Sequence, residues 1–289
     1  MTPLALGATA VALAGPVPAA LARWKRLHLT PIASLVLWQA IALAAVLAAV
    51  GAGLSLMTAS AWEHGTGTVG VVVAVLAGLL TVVVVARLLF SGHRVGTSLR
   101  TERRLHREHL DLLAEHRGSL GRVRVLDHDV PVAYCVPDVA QPRVVLSGAA
   151  LAALDEQQVT VVLAHERAHL AARHDLVLEA FTVLHRAFPR WVSSDAALRE
   201  VRLLVEILAD RAALKVGSAG DLGRALLAMA GARPPVGAMG ASAVDLVERV
   251  RVLSLVRPRP LQTLALLAVA WALLVAPTAL VVAPWLNGL

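Results

Sequence analysis

The stretch VVLAHERAHLAARHD, residues 161–175, decides how the rest of the chain must fold around it. It begins as an apolar run and then takes in three histidines, His165, His169 and His174, together with Glu166 and Asp175. Upstream, Asp155 is followed three residues later by Gln158, the spacing of a capping box, which predicts a helix opening at 155 and running to about 174. Residues four apart share one face of a helix, one turn above each other, so His165 and His169 can reach a single ion. Glu166, one residue on, points beside that ion and can take a proton from a water activated there. For this reason H-E-x-x-H on a helix suits zinc hydrolases.

A catalytic zinc takes three protein ligands and leaves a fourth position open. In a continuous helix His174 would lie about 180° around the axis from His165, pointing away, so it is expected as a polar-face or helix-end residue. LLVEILADRAAL, residues 203–214, supplies a better ligand. Glu206 and Asp210 are four apart in an otherwise apolar helical segment, where two acids are costly unless partnered. Glu206 is the expected third ligand, with Glu200 the fallback. Asp210 would accept a hydrogen bond from the ring of His165 or His169 and fix its tautomer. A pair of surface acids bridged to Arg202 or Arg211 is the alternative for the same residues.

Working outward, the chain is 57% apolar and only 16% charged, too apolar for an ordinary soluble domain. Residues 91–258 hold 22 Lys/Arg and 19 Asp/Glu, so nearly all charge sits in one stretch. A membrane protein with a single water-facing domain is expected. The net charge of +7 could suggest nucleic acid, but in 91–258 acids interleave with the bases and aromatics make up only 3% of the chain. A basic surface near anionic lipid is the better reading, and no nucleic-acid partner is expected. The single cysteine, Cys135, excludes an internal disulfide and a thiolate cluster.

Three spans are expected within residues 1–90, at about 3–22, 32–58 and 68–90, and a fourth within 259–289 at about 261–283. The first carries Gly15, Pro16 and Pro18 and ends on Ala20-Leu21-Ala22, which resembles a cleavage site; the positive cluster follows the apolar stretch, which favours a retained span. Trp24, Trp62 and Trp285 sit at segment ends, as interfacial tryptophans do. Arg23, Lys25 and Arg26 crowd the first connection, whereas Glu63 is the charge of the second. The positive-inside rule makes the first connection cytoplasmic and the second external, and an Arg-rich stretch after the third span agrees. The domain 91–258 is then cytosolic, with both termini external, in an inner or plasma membrane.

Within that domain 97–117 reads as a charged helix whose His106, His109 and His116 face solvent. Short strands are expected at 122–127, 131–136 and 142–147, and helices at about 176–187, 195–216, 220–231 and 243–255. GARPPVGAMG, 231–240, is an expected loop. Tyr134 and Cys135 read as packed strand residues. A peptide substrate is expected to lie extended against an exposed strand such as 142–147.

H-E-x-x-H followed by E-x-x-x-D on a later helix resembles the gluzincin arrangement. Three spans before the domain and one after it look like the membrane metallopeptidase family of β-lactam-sensing receptors and antirepressor peptidases. PRVVLSGAALAALDEQQVTVVLAHERAHL and VEILADRAA are similar to the corresponding blocks of that family. The HtpX and CAAX-prenyl endopeptidase group shares both motifs with a different arrangement of spans. The receptors carry a penicillin-binding domain after the last span and none follows 261–283 here, so β-lactam sensing is not expected. The resemblance implies an α-helical membrane protein of four transmembrane helices with a mainly α, α+β gluzincin-like domain. It further implies Zn2+ on His165, His169 and Glu206, Glu166 as the base, Asp210 behind the ligands, and a protein or peptide substrate.

Overall fold

Long apolar runs satisfy their own backbone hydrogen bonds as helices, and the computed structural model follows that rule. It describes residues 2–62, 67–116, 123–138, 141–189, 195–230, 239–240, 246–255 and 257–286. Glu63 and most of the expected loop 231–240 lie outside the described residues, as do the side chains of Trp62 and Trp285. Two compact units emerge, one of residues 1–93, 180–201 and 259–289, the other of 94–179 and 202–258. Residues 180–201, expected within the water-facing domain, group with the first unit.

The first unit contains α1 (Thr2–Ala14), α2 (Pro16–Leu21), a 3-10 turn (Lys25–Leu29), α3 (Pro31–Trp62), the first part of α4 (Thr68–Leu113) and the last helix, Pro260–Leu286. Among the described residues four helical segments, Thr2–Leu21, Pro31–Thr58, Thr68–Leu112 and Pro260–Val282, are long and apolar enough to cross a membrane. The first is broken at Gly15, and Pro16 opens α2. A proline is tolerated there because the first N–H groups of a helix lack intrahelical partners anyway. Along α3, Ala33, Leu37, Ala40, Ala44 and Ala48 are buried three or four residues apart, forming one seam. Gly51 extends it: a Cβ there would stand 2.9 Å from Val281, so the small residue lets the last helix approach.

In the second unit a five-stranded sheet has the order β1-β2-β4-β3-β5. Its strands are β1 (Glu115–His116), β2 (Val123–Leu126), β3 (Ala133–Val136), β4 (Arg143–Ser147) and β5 (Met239–Gly240). β4 runs parallel to β2 and antiparallel to β3, and β5 pairs with the other edge of β3. The expected free edge at 142–147 is therefore not there. β4 has neighbours on both sides, and four of its five residues are buried. Strand order depends on pairings distant in sequence, which period-2 patterning does not report.

The helices of this unit are α5 (Gly148–Ala153), α6 (Glu156–Ala171), α7 (His174–Ala187), α8 (Asp195–Ala213), α9 (Ala219–Ala228) and α10 (Leu246–Leu253), with α11 naming the last helix (Pro260–Leu286). α7 and α8 each have a part in either unit. α6 packs on β3 and on α9. Val161, Val162 and Leu163 meet Cys135, Val144, Leu146, Leu222, Leu226 and Leu253 in one buried cluster. His106 departs from the expected solvated face: its Nε2 lies 3.0 Å from the buried Tyr134 hydroxyl.

Candidate metal centre

α6 starts where its sequence says it should. Gln158 N–H donates to Asp155 Oδ1 at 2.8 Å, and Asp155 N–H donates to Gln158 Oε1 at 3.2 Å, closing the capping box. The helix carries His165, Glu166 and His169 into the interior, where all three are fully buried. The two Nε2 atoms face each other at 3.2 Å. α8 brings Glu206 to them, with Oε2 at 3.5 Å from His165 Nε2 and Oε1 at 3.5 Å from His169 Nε2. One ligand atom from each of His165, His169 and Glu206 lies within 4.8 Å of the others, a group that could hold a metal ion.

Behind these atoms each ring has a partner on its far nitrogen. Asp210 Oδ1 stands 3.0 Å from His165 Nδ1, so of the two histidines weighed for Asp210 it is His165 that receives it. His174 Nδ1 stands 3.0 Å from His169 Nδ1. This second contact overturns the expected outward orientation of His174, which is buried. The continuous helix assumed for it does not exist. α6 ends at Ala171, Arg173 adopts φ 50°, and α7 starts at His174, so the helix breaks there and the His174 ring faces His169. A non-glycine residue in the left-handed region is uncommon, and here it makes the turn. Arg173 and Arg103 both reach the buried Asp175 carboxylate, at 3.1 and 3.4 Å.

Neither alternative weighed for these acids matches the structure. Glu200 belongs to the first unit, where His28 Nε2 meets its Oε2 at 2.8 Å, and it is not part of the group. Glu206 and Asp210 are buried, and Arg249 of α10 joins them in place of Arg202 or Arg211. Arg249 Nε and Nη2 donate to Asp210 Oδ2 and Oδ1 at 2.8 and 2.6 Å, and Nη1 lies 3.0 Å from Glu206 Oε2. Sequence reasoning missed Arg249. Its signal was a charged residue on the apolar face of α10, grouped with Val252 and Leu253.

Charge and burial set the protonation states. Burial by itself would lower His165, but the Asp210 and Glu206 carboxylates outweigh it and hold the ring up at about 10. His169 is pushed down to about 3, chiefly by burial, against the pull of Glu206 and with the help of its cationic neighbours. Asp210 resists burial because Arg249 and His165 hold its carboxyl down at about 2. Glu206 also lies below its ordinary range, burial being outweighed by His169, His165 and Arg249. Asp210 is thus an ionised acceptor, and His169 offers a neutral ring. Cys135, fully buried on β3, has its thiol pushed well up by burial and by the negative charge of Glu166, so it is neither a thiolate nucleophile nor one of the grouped ligands.

Residues 99–199 match the model of peptidase family M48, a span that includes H-E-x-x-H and stops short of Glu206, Asp210 and Arg249. The match points to a metallopeptidase, hence a hydrolase, and the histidine–glutamate group is in keeping with a metal-dependent one. Comparison with curated proteins and with solved structures finds no match. The family match does not extend to the β-lactam-sensor or antirepressor subtype.

Proposed function

We propose that this chain is a multi-pass membrane zinc endopeptidase that cleaves a protein substrate at the cytosolic face. The observation that carries the reading is the convergence of His165, His169 and Glu206 from two helices onto one point. Two imidazole nitrogens and one carboxylate oxygen form the His2Glu donor set that zinc hydrolases use, and the donors are held from behind by Asp210 and His174. When bound, zinc lowers the pKa of a water towards about 7 and polarises the scissile carbonyl.

The remaining work falls to the chain. Glu166, beside the two histidines, takes a proton from the attacking water as the new C–O bond forms, and delivers it to the amine as the C–N bond breaks. Ionised Asp210 keeps the His165 proton on Nδ1 and leaves Nε2 as a donor of electrons.

The clusters of positive charge after the first and third apolar helices support a peptidase domain in the cytosol with both termini outside, in an inner or plasma membrane. The partners are then the bilayer and a protein or peptide substrate, with no nucleic acid. We assign the chain a regulatory role, cleavage of one repressor or signalling protein, on the resemblance of its motif blocks and span arrangement to the antirepressor peptidases.

Glu166→Gln tests the chemistry: it keeps size and hydrogen bonding but removes the base. Membranes bearing the variant should lose cleavage of a substrate that the parent processes, and undiminished cleavage would refute the assignment. Comparing the proteome of cells with each form tests the regulatory role. One accumulating protein supports it, whereas many would indicate general membrane-protein quality control.

A further inference from the structure

Arg249 is the largest charged side chain with no exposure at all among the described residues, and it comes from α10, outside the segment that matches the peptidase family. A lone guanidinium buried this way would be strongly disfavoured. Here the fork of Nε and Nη2 grips both oxygens of Asp210, and the third nitrogen reaches Glu206 Oε2. One side chain therefore touches both Glu206 and Asp210 of α8, one turn apart. Asp210 Oδ1 is shared: it takes Arg249 Nη2 at 2.6 Å and faces His165 Nδ1 at 3.0 Å.

We infer that Arg249 is a positioning residue of the metal centre, fixing through one planar fork both the Asp210 carboxylate that orients His165 and the Glu206 carboxylate that faces the two Nε2 atoms. This rests on the metal-centre reading given above. The physical basis is bidentate geometry. Two parallel N–H donors on one carboxylate fix its plane as well as its position, which a single ammonium cannot do. With the plane fixed, Oδ1 stays on the His165 N–H. Contact of Nη1 with Oε2 also restrains Glu206 against rotation out of the group, and the arginine charge offsets part of the repulsion among Glu166, Glu206 and Asp210 around one buried point. Mere neutralisation of buried acids makes a different prediction, because a lysine would serve that purpose almost as well.

The test uses the full chain in detergent, stripped of metal, then titrated with Zn2+ against a chelator and with Co2+ followed by its visible absorption. Parent, Arg249→Lys and Arg249→Met are compared, with gel filtration and thermal unfolding of each metal-free form reporting the fold. Positioning predicts that Arg249→Met binds zinc 10–100-fold more weakly, the loss typical of removing a group behind a metal ligand. Arg249→Lys, which keeps charge without the fork, should recover only part of the affinity and give an altered Co2+ spectrum. Parent-like affinity and spectrum in Arg249→Lys would overturn the inference in favour of simple neutralisation. Parent-like behaviour in both variants would overturn it outright while leaving the metal centre intact. If the parent itself takes up neither ion, the metal-centre reading fails first and this inference with it. If neither variant folds, the residue is architectural and the positioning role is refuted.

Discussion

His174 Nδ1 and His169 Nδ1 lie 3.0 Å apart in the interior, joining the start of α7 to the end of α6. One of the two nitrogens must carry the proton. For His169 to offer Nε2 to a metal, its Nδ1–H donates and His174 accepts. Replacing His174 by Phe keeps the ring volume and removes the acceptor, so zinc affinity should fall by about 10–100-fold. His174→Asn, which presents an amide oxygen, should recover part of the loss. Chelator competition on the purified protein reads both, and unchanged affinity in His174→Phe would exclude the role.

Metal uptake should release protons. In the metal-free centre His165 sits up at about 10 and is therefore protonated at neutral pH, whereas His169, down at about 3, is already neutral. Binding through His165 Nε2 requires that ring to give up one proton, so affinity rises with pH across the range below about 10. Calorimetry at pH 6, where a zinc-bound water stays largely protonated, in buffers of different ionisation enthalpy should register release of about one proton per ion, coming from His165 and not from His169. No release, or release of two, would contradict these protonation states.

Cys135 should be chemically silent in the folded protein. Its thiol is fully buried and pushed well above its ordinary range, so the reactive thiolate is scarce from pH 7 to 9. A colorimetric disulfide reagent should titrate no thiol in the native protein and one after denaturation. Rapid native reaction would show that β3 opens readily beside Glu166.

Gly217, just beyond the end of α8, is held against α6 where Gln157 Nε2 donates to Val216 O at 3.2 Å. A Cβ at this glycine would overlap Cγ1 of the buried, β-branched Val161, which has little freedom to yield. Gly217→Ala should therefore destabilise the domain by about 1–3 kcal/mol, the usual cost of overpacking. A lowered thermal midpoint with wild-type zinc stoichiometry is expected, and an unchanged midpoint would contradict the close packing.

The parts of this centre that could be read from the sequence are those with short-range causes. The capping box at Asp155 and Gln158 and the shared face of His165 and His169 follow from helix geometry over four residues or fewer. The acids of α8 were legible for a related reason: carboxylates four apart on an apolar helix require partners. His174 was misread because the break at Arg173 contains neither glycine nor proline, and left-handed geometry at an arginine has no local signature. Arg249 meets Asp210 across 39 residues of sequence, so only its place on the apolar side of α10 hinted at burial. The interior position of β4 was likewise invisible, since alternation marks a strand but not its neighbours.

The helix break at Arg173 also acts as a ruler. Because α6 stops at Ala171 and α7 begins at His174, the whole link is two residues long, one of them in a backbone region that side chains rarely enter. Insertion of a single residue there would swing the start of α7 by about 100° and carry the His174 imidazole off its partner without changing any side chain. In this segment the count of residues is as much a determinant of the centre as their identity.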